Sequence, residues 1–239
     1  MPTPADVLAD LLRNDPARPR VTFYDDSVNV GERIELSAKV LTNWVSKAAN
    51  LLQEELELGP GSVVRLELPA QHWRTLYWAL AVWSVGATLD VQGSQPAQLL
   101  VTTDADAASS ASTDAAVLVT LAALARRHPD PVPHGVIDEA RDLSTYADHF
   151  DAWVEPTPDD DALVDGYGTH SYADVVPDLR WEQGSRVHVT GSPATTLRRS
   201  LAAWAVDGSV VLVLGPESAN LAARLESEGV TLDLPESWL

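Results

Sequence analysis

The segment LGPGSVVRLELPAQHWRTLYWALAVWSVGATLDV, residues 58–91, decides the fold class of this chain. An apolar run at 63–68 stops at a proline and is typical of a buried strand. Residues 72–85 then carry large apolar side chains at helical spacing and end at a glycine. A second apolar run follows at 87–91. This order predicts two parallel strands joined by a helix.

The same alternation extends in both directions along the chain. Residues 20–25 and 32–36 alternate between polar and apolar positions and predict a β-hairpin. Ser37 is a good N-cap for a helix over 38–56. Further strands are predicted at 98–102, 135–138, 186–190, 210–214 and 230–234, and further helices at 4–13, 115–126, 143–150, 171–176, 194–206 and 218–228. The pattern predicts an α/β fold of mostly parallel sheets covered by helices.

One short segment separates two parts of the chain. Residues 155–161, EPTPDDD, contain two prolines and three consecutive acidic residues, a composition typical of a linker. The sequence therefore predicts an N-terminal α/β subdomain over 1–154 and a second, smaller α/β subdomain over 162–239.

Composition limits the function. The formal net charge of −19 over 239 residues opposes binding to nucleic acid or to an anionic membrane surface. The chain has no cysteine, which excludes disulfides, thiolate nucleophiles and cysteine-based zinc sites. Neither a secretory signal nor an apolar run of the ~20 residues needed to cross a bilayer is evident. We expect a soluble, cytoplasmic protein without a membrane span.

The hairpin, the Ser-capped helix and the segment quoted above together resemble a known family. Over residues 20–91 their order and spacing are similar to the N-terminal region of the adenylate-forming superfamily. That superfamily includes acyl-CoA synthetases, peptide-synthetase adenylation domains and luciferases. The resemblance implies the fold of the N-terminal subdomains of acyl-CoA synthetases.

Two later segments resemble the same family. ALVDGYGTHS, residues 162–171, stands where the family has a strand and a phosphate-binding loop. SRVHVTGSPATTLRRSLAAWAVDGSVVLVLG, residues 185–215, resembles the strand, helix and strand that follow that loop. The resemblance implies a remnant ligand-binding cleft whose candidate residues are Gly166, Gly168, Thr169, Gly191 and Ser192.

The family's chemistry is missing from these positions. The resemblance implies that a lysine ends the phosphate loop and that a second lysine acts near the C-terminus, yet no lysine follows Lys47. The length also leaves no room for the family's later adenine and ribose sites. We therefore expect no catalytic residue, no metal and no cofactor, and we do not expect adenylate-forming ligase activity.

Several residues allow two interpretations. His128 and His134 flank a proline-containing loop and could meet at a metal ion, although loop histidines are usually exposed. Arg198 and Arg199 could attract phosphate or lie in solvent. The aromatic residues of helix 72–85 could be buried between layers or form an interface.

Three functional hypotheses follow from these observations. The first is a non-catalytic, pseudoenzyme-like homologue of AMP-binding acyl-CoA synthetases that acts by binding or assembly. The second is a small-molecule binder that uses the remnant cleft, and the third is an enzyme of unrecognised activity. The partner is an unknown small molecule or protein. A homodimer through residues 218–234 and Trp238 is also expected.

Overall fold

The computed structural model describes residues 2–27, 31–215 and 220–234, and these ranges contain seven α-helices and twelve β-strands. The helices are α1 (Pro4–Asn14), α2 (Ala38–Asn50), α3 (Trp73–Ser84), α4 (Ala105–Ser110), α5 (Glu139–Asp142), α6 (Pro193–Ala205) and α7 (Leu221–Ser227). The strands are β1 (Pro19–Asp25), β2 (Glu32–Ser37), β3 (Val63–Glu67), β4 (Thr88–Asp90), β5 (Leu99–Thr102), β6 (Ala115–Leu118), β7 (Ile137–Asp138), β8 (Asp161–Asp165), β9 (Gly168–Ser171), β10 (Arg186–His188), β11 (Ser209–Leu214) and β12 (Leu232–Asp233). A π-helical segment, Leu51–Glu55, continues α2. None of the helices in these ranges has the length and hydropathy needed to cross a membrane.

The chain forms two compact units, each built on one sheet. The first unit comprises residues 1–42, 69–76 and 176–239, and the second comprises 43–68 and 77–175. These units interleave along the sequence, whereas the sequence interpretation divided the chain at 155–161. That segment lies within the second unit, where the amide of Ala173 donates to the Pro158 carbonyl at 3.0 Å.

The second unit contains a seven-stranded sheet with the order β7-β6-β5-β3-β4-β8-β9. β3 and β4 are parallel neighbours, with Val63 opposite Thr88, which confirms the strand–helix–strand prediction. The other pairings are also parallel except for the antiparallel pair β8–β9. The sheet is therefore mostly parallel, and the α/β prediction is confirmed.

Helix α3 is buried around its whole circumference. Trp73, Trp78 and Trp83 are each at most 2% exposed. The indole Nε1 of Trp83 donates to the Ala162 carbonyl at 2.7 Å, which satisfies a polar group that would otherwise cost free energy. The buried interpretation of this helix is confirmed, and these tryptophans are not available as surface anchors.

The first unit contains a five-stranded sheet with the order β12-β10-β11-β1-β2. β1 and β2 form the predicted antiparallel hairpin, while β1 pairs in parallel with β11. Arg20, a fully buried residue of β1, pairs with Asp207 at 2.7 Å. The guanidinium also donates to the carbonyls of Asp207 and Gly208 at 2.7 and 3.2 Å. These contacts fix the turn that leads into β11.

An ionic cluster in the same unit centres on Glu228, which follows α7. Its carboxylate accepts hydrogen bonds from the Tyr24 hydroxyl, from Arg33 Nε at 3.1 Å and from Arg186 Nη2 at 2.5 Å. Burial favours the neutral acid, but these three bonds outweigh burial and lower the pKa of Glu228 to about 2. The carboxylate is therefore ionised at neutral pH and links the end of α7 to three strands.

Three predicted helices are wrong. Residues 115–126 begin with strand β6, because an alanine-containing apolar run suits a buried strand as well as a helix. In 143–150 only a single 3₁₀ turn, Leu143–Thr145, forms. Residues 171–176 form turns closed by bonds from the amides of Asp174 and Val175 to the Ser171 carbonyl.

Candidate functional site

Three of the five candidate site residues lie on one tight turn of the second unit. Gly166 lies in the two-residue connection between β8 and β9, Gly168 and Thr169 begin β9, and all three residues are exposed. Gly168 has a φ of 140°, a conformation that favours glycine. The two strands pair antiparallel up to Asp165 opposite Gly168, so the turn is a short hairpin loop.

The backbone donors of this turn are already occupied by Asp165. Its Oδ1 accepts hydrogen bonds from the amides of Tyr167 at 2.7 Å and Gly168 at 3.1 Å. These are the kind of successive N–H groups that surround a phosphate in anion-binding loops. Here an internal carboxylate, only 5% exposed, takes that place.

The second oxygen of Asp165 is held by His170. The imidazole Nε2 lies 3.1 Å from Asp165 Oδ2, and Nδ1 lies 3.4 Å from Asp174 Oδ2. One nitrogen of the ring therefore faces each carboxylate, including the carboxylate that closes the turn.

The neighbouring strand β4 ends in the same way. Asp90 is fully buried, and its carboxylate accepts from the amides of Gln92, Gly93 and Gln95, each at 2.8 Å. Asp90 lies opposite Val164 in the parallel register of β4 and β8. Two adjacent strands thus place buried carboxylates at the carboxyl edge of the sheet, where α/β proteins commonly bind ligands.

The other two candidate residues belong to the first unit. Ser192 is the N-cap of α6, and its Oγ accepts from the amide of Thr195 at 3.2 Å. The Gly191 carbonyl accepts from Gln71 Nε2 at 2.6 Å. Ser192 therefore has a helix-capping role, while its assignment to a ligand site stays a prediction, as do those of the other four residues.

The position of Arg199 differs from both interpretations of the Arg198–Arg199 pair. Both interpretations, phosphate attraction and surface solvation, require an accessible guanidinium, but Arg199 is fully buried. Its Nη1 donates to the carbonyls of Thr190 and Leu234 at 3.3 Å each. This arginine holds backbone elements of the first unit together.

The histidines do not assemble a metal site in the described ranges. Across residues 2–27, 31–215 and 220–234, no group of three His, Cys, Asp or Glu side chains is placed to hold a metal ion. His134 is exposed, and the His128 ring accepts from the Asp130 amide at 3.2 Å. His188 is buried within β10, with Nδ1 2.8 Å from Asp233 Oδ1.

Sequence reasoning located the turn but missed Asp165 and His170 as its main determinants. An Asp-Gly pair between two β-prone runs is a turn signal, and aspartate commonly accepts from amides two and three residues ahead. That signal was present in the sequence. The contact with His170 depends on the antiparallel register of β8 and β9, which the sequence pattern does not specify.

Solved structures define the class of this fold. The chain is similar to an acyl-CoA synthetase from Brucella canis at 17% identity and a TM-score of 0.71, and to acetoacetyl-CoA synthetase from Streptomyces lividans at 16% and 0.75. Each match covers 97% of this chain, but only 47% and 42% of the synthetases. The N-terminal subdomain of Klebsiella oxytoca NpsA also matches, at 16% identity and a TM-score of 0.63, with 59% of that chain covered. The fold is that of the N-terminal region of adenylate-forming enzymes.

A sequence relative gives the family. The chain is 34% identical over 244 aligned positions to a protein of Mycobacterium tuberculosis (strain ATCC 25618 / H37Rv) described as a TIGR03089 family protein. The match covers 94% of this chain and 95% of the mycobacterial one. The chain belongs to this TIGR03089 family. No protein-family model matches it.

Proposed function

We propose that this chain acts by binding or assembly and does not form acyl adenylates. The observation that carries the proposal is the Asp165 carboxylate on the amides of Tyr167 and Gly168. A phosphate group would have to displace this carboxylate before it could use the same donors. The turn then has a structural role, whereas the resemblance implies a nucleotide-binding one.

Electrostatics supports the same conclusion. Catalysis of adenylation requires positive groups that stabilise the charge developing on the α-phosphate. The sequence has no lysine after Lys47 to supply such a charge at the turn. Asp90 and Asp165 add two buried carboxylates at this sheet edge, and like charges in a protein environment repel strongly. The net charge of −19 further opposes a polyanionic nucleotide.

Pyrophosphate exchange tests the proposal directly. With ATP, Mg²⁺ and a panel of carboxylic acids, we expect exchange to stay at the background level of a protein-free reaction. Exchange that requires both ATP and one particular acid would overturn the proposal.

Calorimetry with ATP tests the occupied turn itself. We expect no binding tighter than millimolar for the unaltered chain. Asp165→Asn keeps an oxygen acceptor for the amides but removes the charge, and Asp106→Asn removes an exposed charge from α4 as a matched control. Any gain in ATP affinity should therefore appear only with Asp165→Asn. Micromolar binding by the unaltered chain would contradict the blocked turn.

A second candidate function is small-molecule binding, and one cavity favours it. A depression of about 390 Å³ in the first unit is lined by Arg180, Trp181 and Leu232, among others. Its size falls within the range of ligand pockets, and an arginine beside an indole suits a planar anion. Thermal unfolding with aromatic carboxylates tests this function, because a ligand of the native state raises the melting temperature. A Trp181→Ala variant should lose that increase.

A further inference from the structure

Two adjacent apolar side chains are exposed in the second unit. Trp153 is 66% exposed and Val154 is 60% exposed. Single exposed apolar residues are common on protein surfaces and need no explanation. An exposed tryptophan next to an exposed valine is of more interest, since tryptophan is enriched among residues that dominate binding energy.

The segment that carries this pair is held at fixed points. Buried Gln53 uses both ends of its amide, because Oε1 accepts from the Trp153 amide at 2.8 Å and Nε2 donates to the Asp151 carbonyl at 3.1 Å. Buried Asn50 donates to the carbonyls of Ala147 and His149 at 3.1 and 2.9 Å. Two buried side chains thus fix four backbone groups. A segment ordered in this way loses little further freedom on binding.

Acidic side chains surround the pair in sequence and through the Gln53 contact. Asp151 and Glu155 flank it on the same segment and are exposed. Glu54 and Glu55 follow Gln53 on the π-helical segment and are also exposed. Lys47 also contacts this segment, but it pairs with one of its carboxylates at 2.9 Å. Four exposed acidic side chains thus lie either on the segment that carries the apolar pair or directly after Gln53, which is hydrogen-bonded to that segment; these four residues are called the acidic rim.

We propose that Trp153 and Val154, with the rim of Glu54, Glu55, Asp151 and Glu155, form a docking surface for a partner protein. The complementary partner presents an apolar pocket bordered by lysine or arginine side chains. A second copy of this chain is a poor occupant, because it would bring an equally acidic rim into contact. The inference rests on the proposed function, since it names the surface through which assembly would occur.

A defined peptide pair serves as the probe. One short synthetic helical peptide carries leucine at helical spacing with lysine elsewhere, and the other has glutamate in place of lysine. Binding to the full chain is followed by fluorescence anisotropy of the labelled peptide. We expect the lysine peptide to bind and the glutamate peptide not to bind.

Matched variants separate specific docking from general attraction to an acidic protein. Trp153→Ser should weaken binding of the lysine peptide at least tenfold, whereas Leu124→Ser, at a side chain that is 92% exposed, should have no effect. Glu54→Gln with Glu55→Gln should also weaken binding. The double control Asp106→Asn with Glu226→Gln removes the same charge elsewhere and should weaken it less.

Each contrary outcome has a defined meaning. Equal effects of Trp153→Ser and Leu124→Ser, or no binding of the lysine peptide, overturn the docking surface. A change of oligomeric mass on Trp153→Asp, measured by light scattering, would assign the surface to a second copy and also overturn the proposal. Pyrophosphate exchange is measured on the same preparations. If the lysine peptide does not bind while pyrophosphate exchange stays at background, only the docking surface is overturned. Pyrophosphate exchange that depends on a carboxylic acid overturns the proposed function.

Discussion

Replacing Asp207 by alanine should destabilise the first unit more than any surface charge change. The carboxylate pairs with fully buried Arg20 at 2.7 Å and with Arg18 at 3.1 Å. Removing one partner of a buried ion pair costs about 3–5 kcal/mol. The lower end of this range applies, because Arg20 keeps two backbone carbonyl acceptors. Asp207 also has a φ of 55°, which costs alanine about 1 kcal/mol. The expected loss is about 4 kcal/mol.

Urea unfolding followed by circular dichroism measures this loss. With an m-value of about 2 kcal/mol/M, the midpoint should fall by about 2 M. Asp207→Asn tolerates the same φ and keeps one acceptor oxygen, so it should lose about half as much. Asp10→Ala removes a carboxylate that pairs with Arg13 in solvent and should leave the midpoint unchanged. The reasoning is refuted if Asp207→Ala and Asp10→Ala shift the midpoint equally.

Two further predictions concern the same unit. Glu228→Gln should remove roughly 1–3 kcal/mol of stability at neutral pH, since the carboxylate has a pKa of about 2 in the folded chain. Because the folded-state pKa of Glu228 lies below the unfolded-state value, its ionised carboxylate stabilises the folded chain at pH values above about 4.5. The difference in unfolding free energy between the unaltered chain and the variant should therefore shrink as the pH falls from about 4.5 towards 2. A constant difference across that interval would exclude the ionic cluster as its source. Gly208→Ala should cost about 3 kcal/mol, because the added Cβ would lie 2.6 Å from the Ala203 carbonyl oxygen; a thermal midpoint equal to that of the unaltered chain would show that the backbone relaxes freely there.

The parts of the fold that the sequence predicted share strong local signals. The β3–α3–β4 unit has an apolar run, a helical aromatic stripe and a glycine in the expected order. The structure contains both predicted strands and the helix between them. The sequence of residues 115–118 did not distinguish a strand from a helix, since alanine and valine fit either a helix or a buried strand. Its parallel pairing with β5, a long-range contact, decided the outcome.

The candidate site was predictable only in part. The loop at Gly166 and Gly168 was implied by the family resemblance, and the absence of a later lysine was evident from the sequence. The hydrogen bonds that the Asp165 carboxylate accepts from the turn depend on the backbone conformation of the residues that follow it. The contact between Asp165 and His170 depends on the register of the two strands. Residues 218, 219 and Trp238, which belong to the predicted dimer surface, lie outside the described residues.

The closed turn at Asp165 has a consequence for any competing anion. A ligand in solution competes with a group that the chain itself delivers, and even flexible short tethers give effective concentrations in the millimolar range. Asp165 is separated from its two amide donors by one and two residues and is held in place by His170, so its effective concentration exceeds that range. Free phosphate at cellular concentrations would therefore not displace the Asp165 carboxylate, which acts as an internal competitor for the two amide donors.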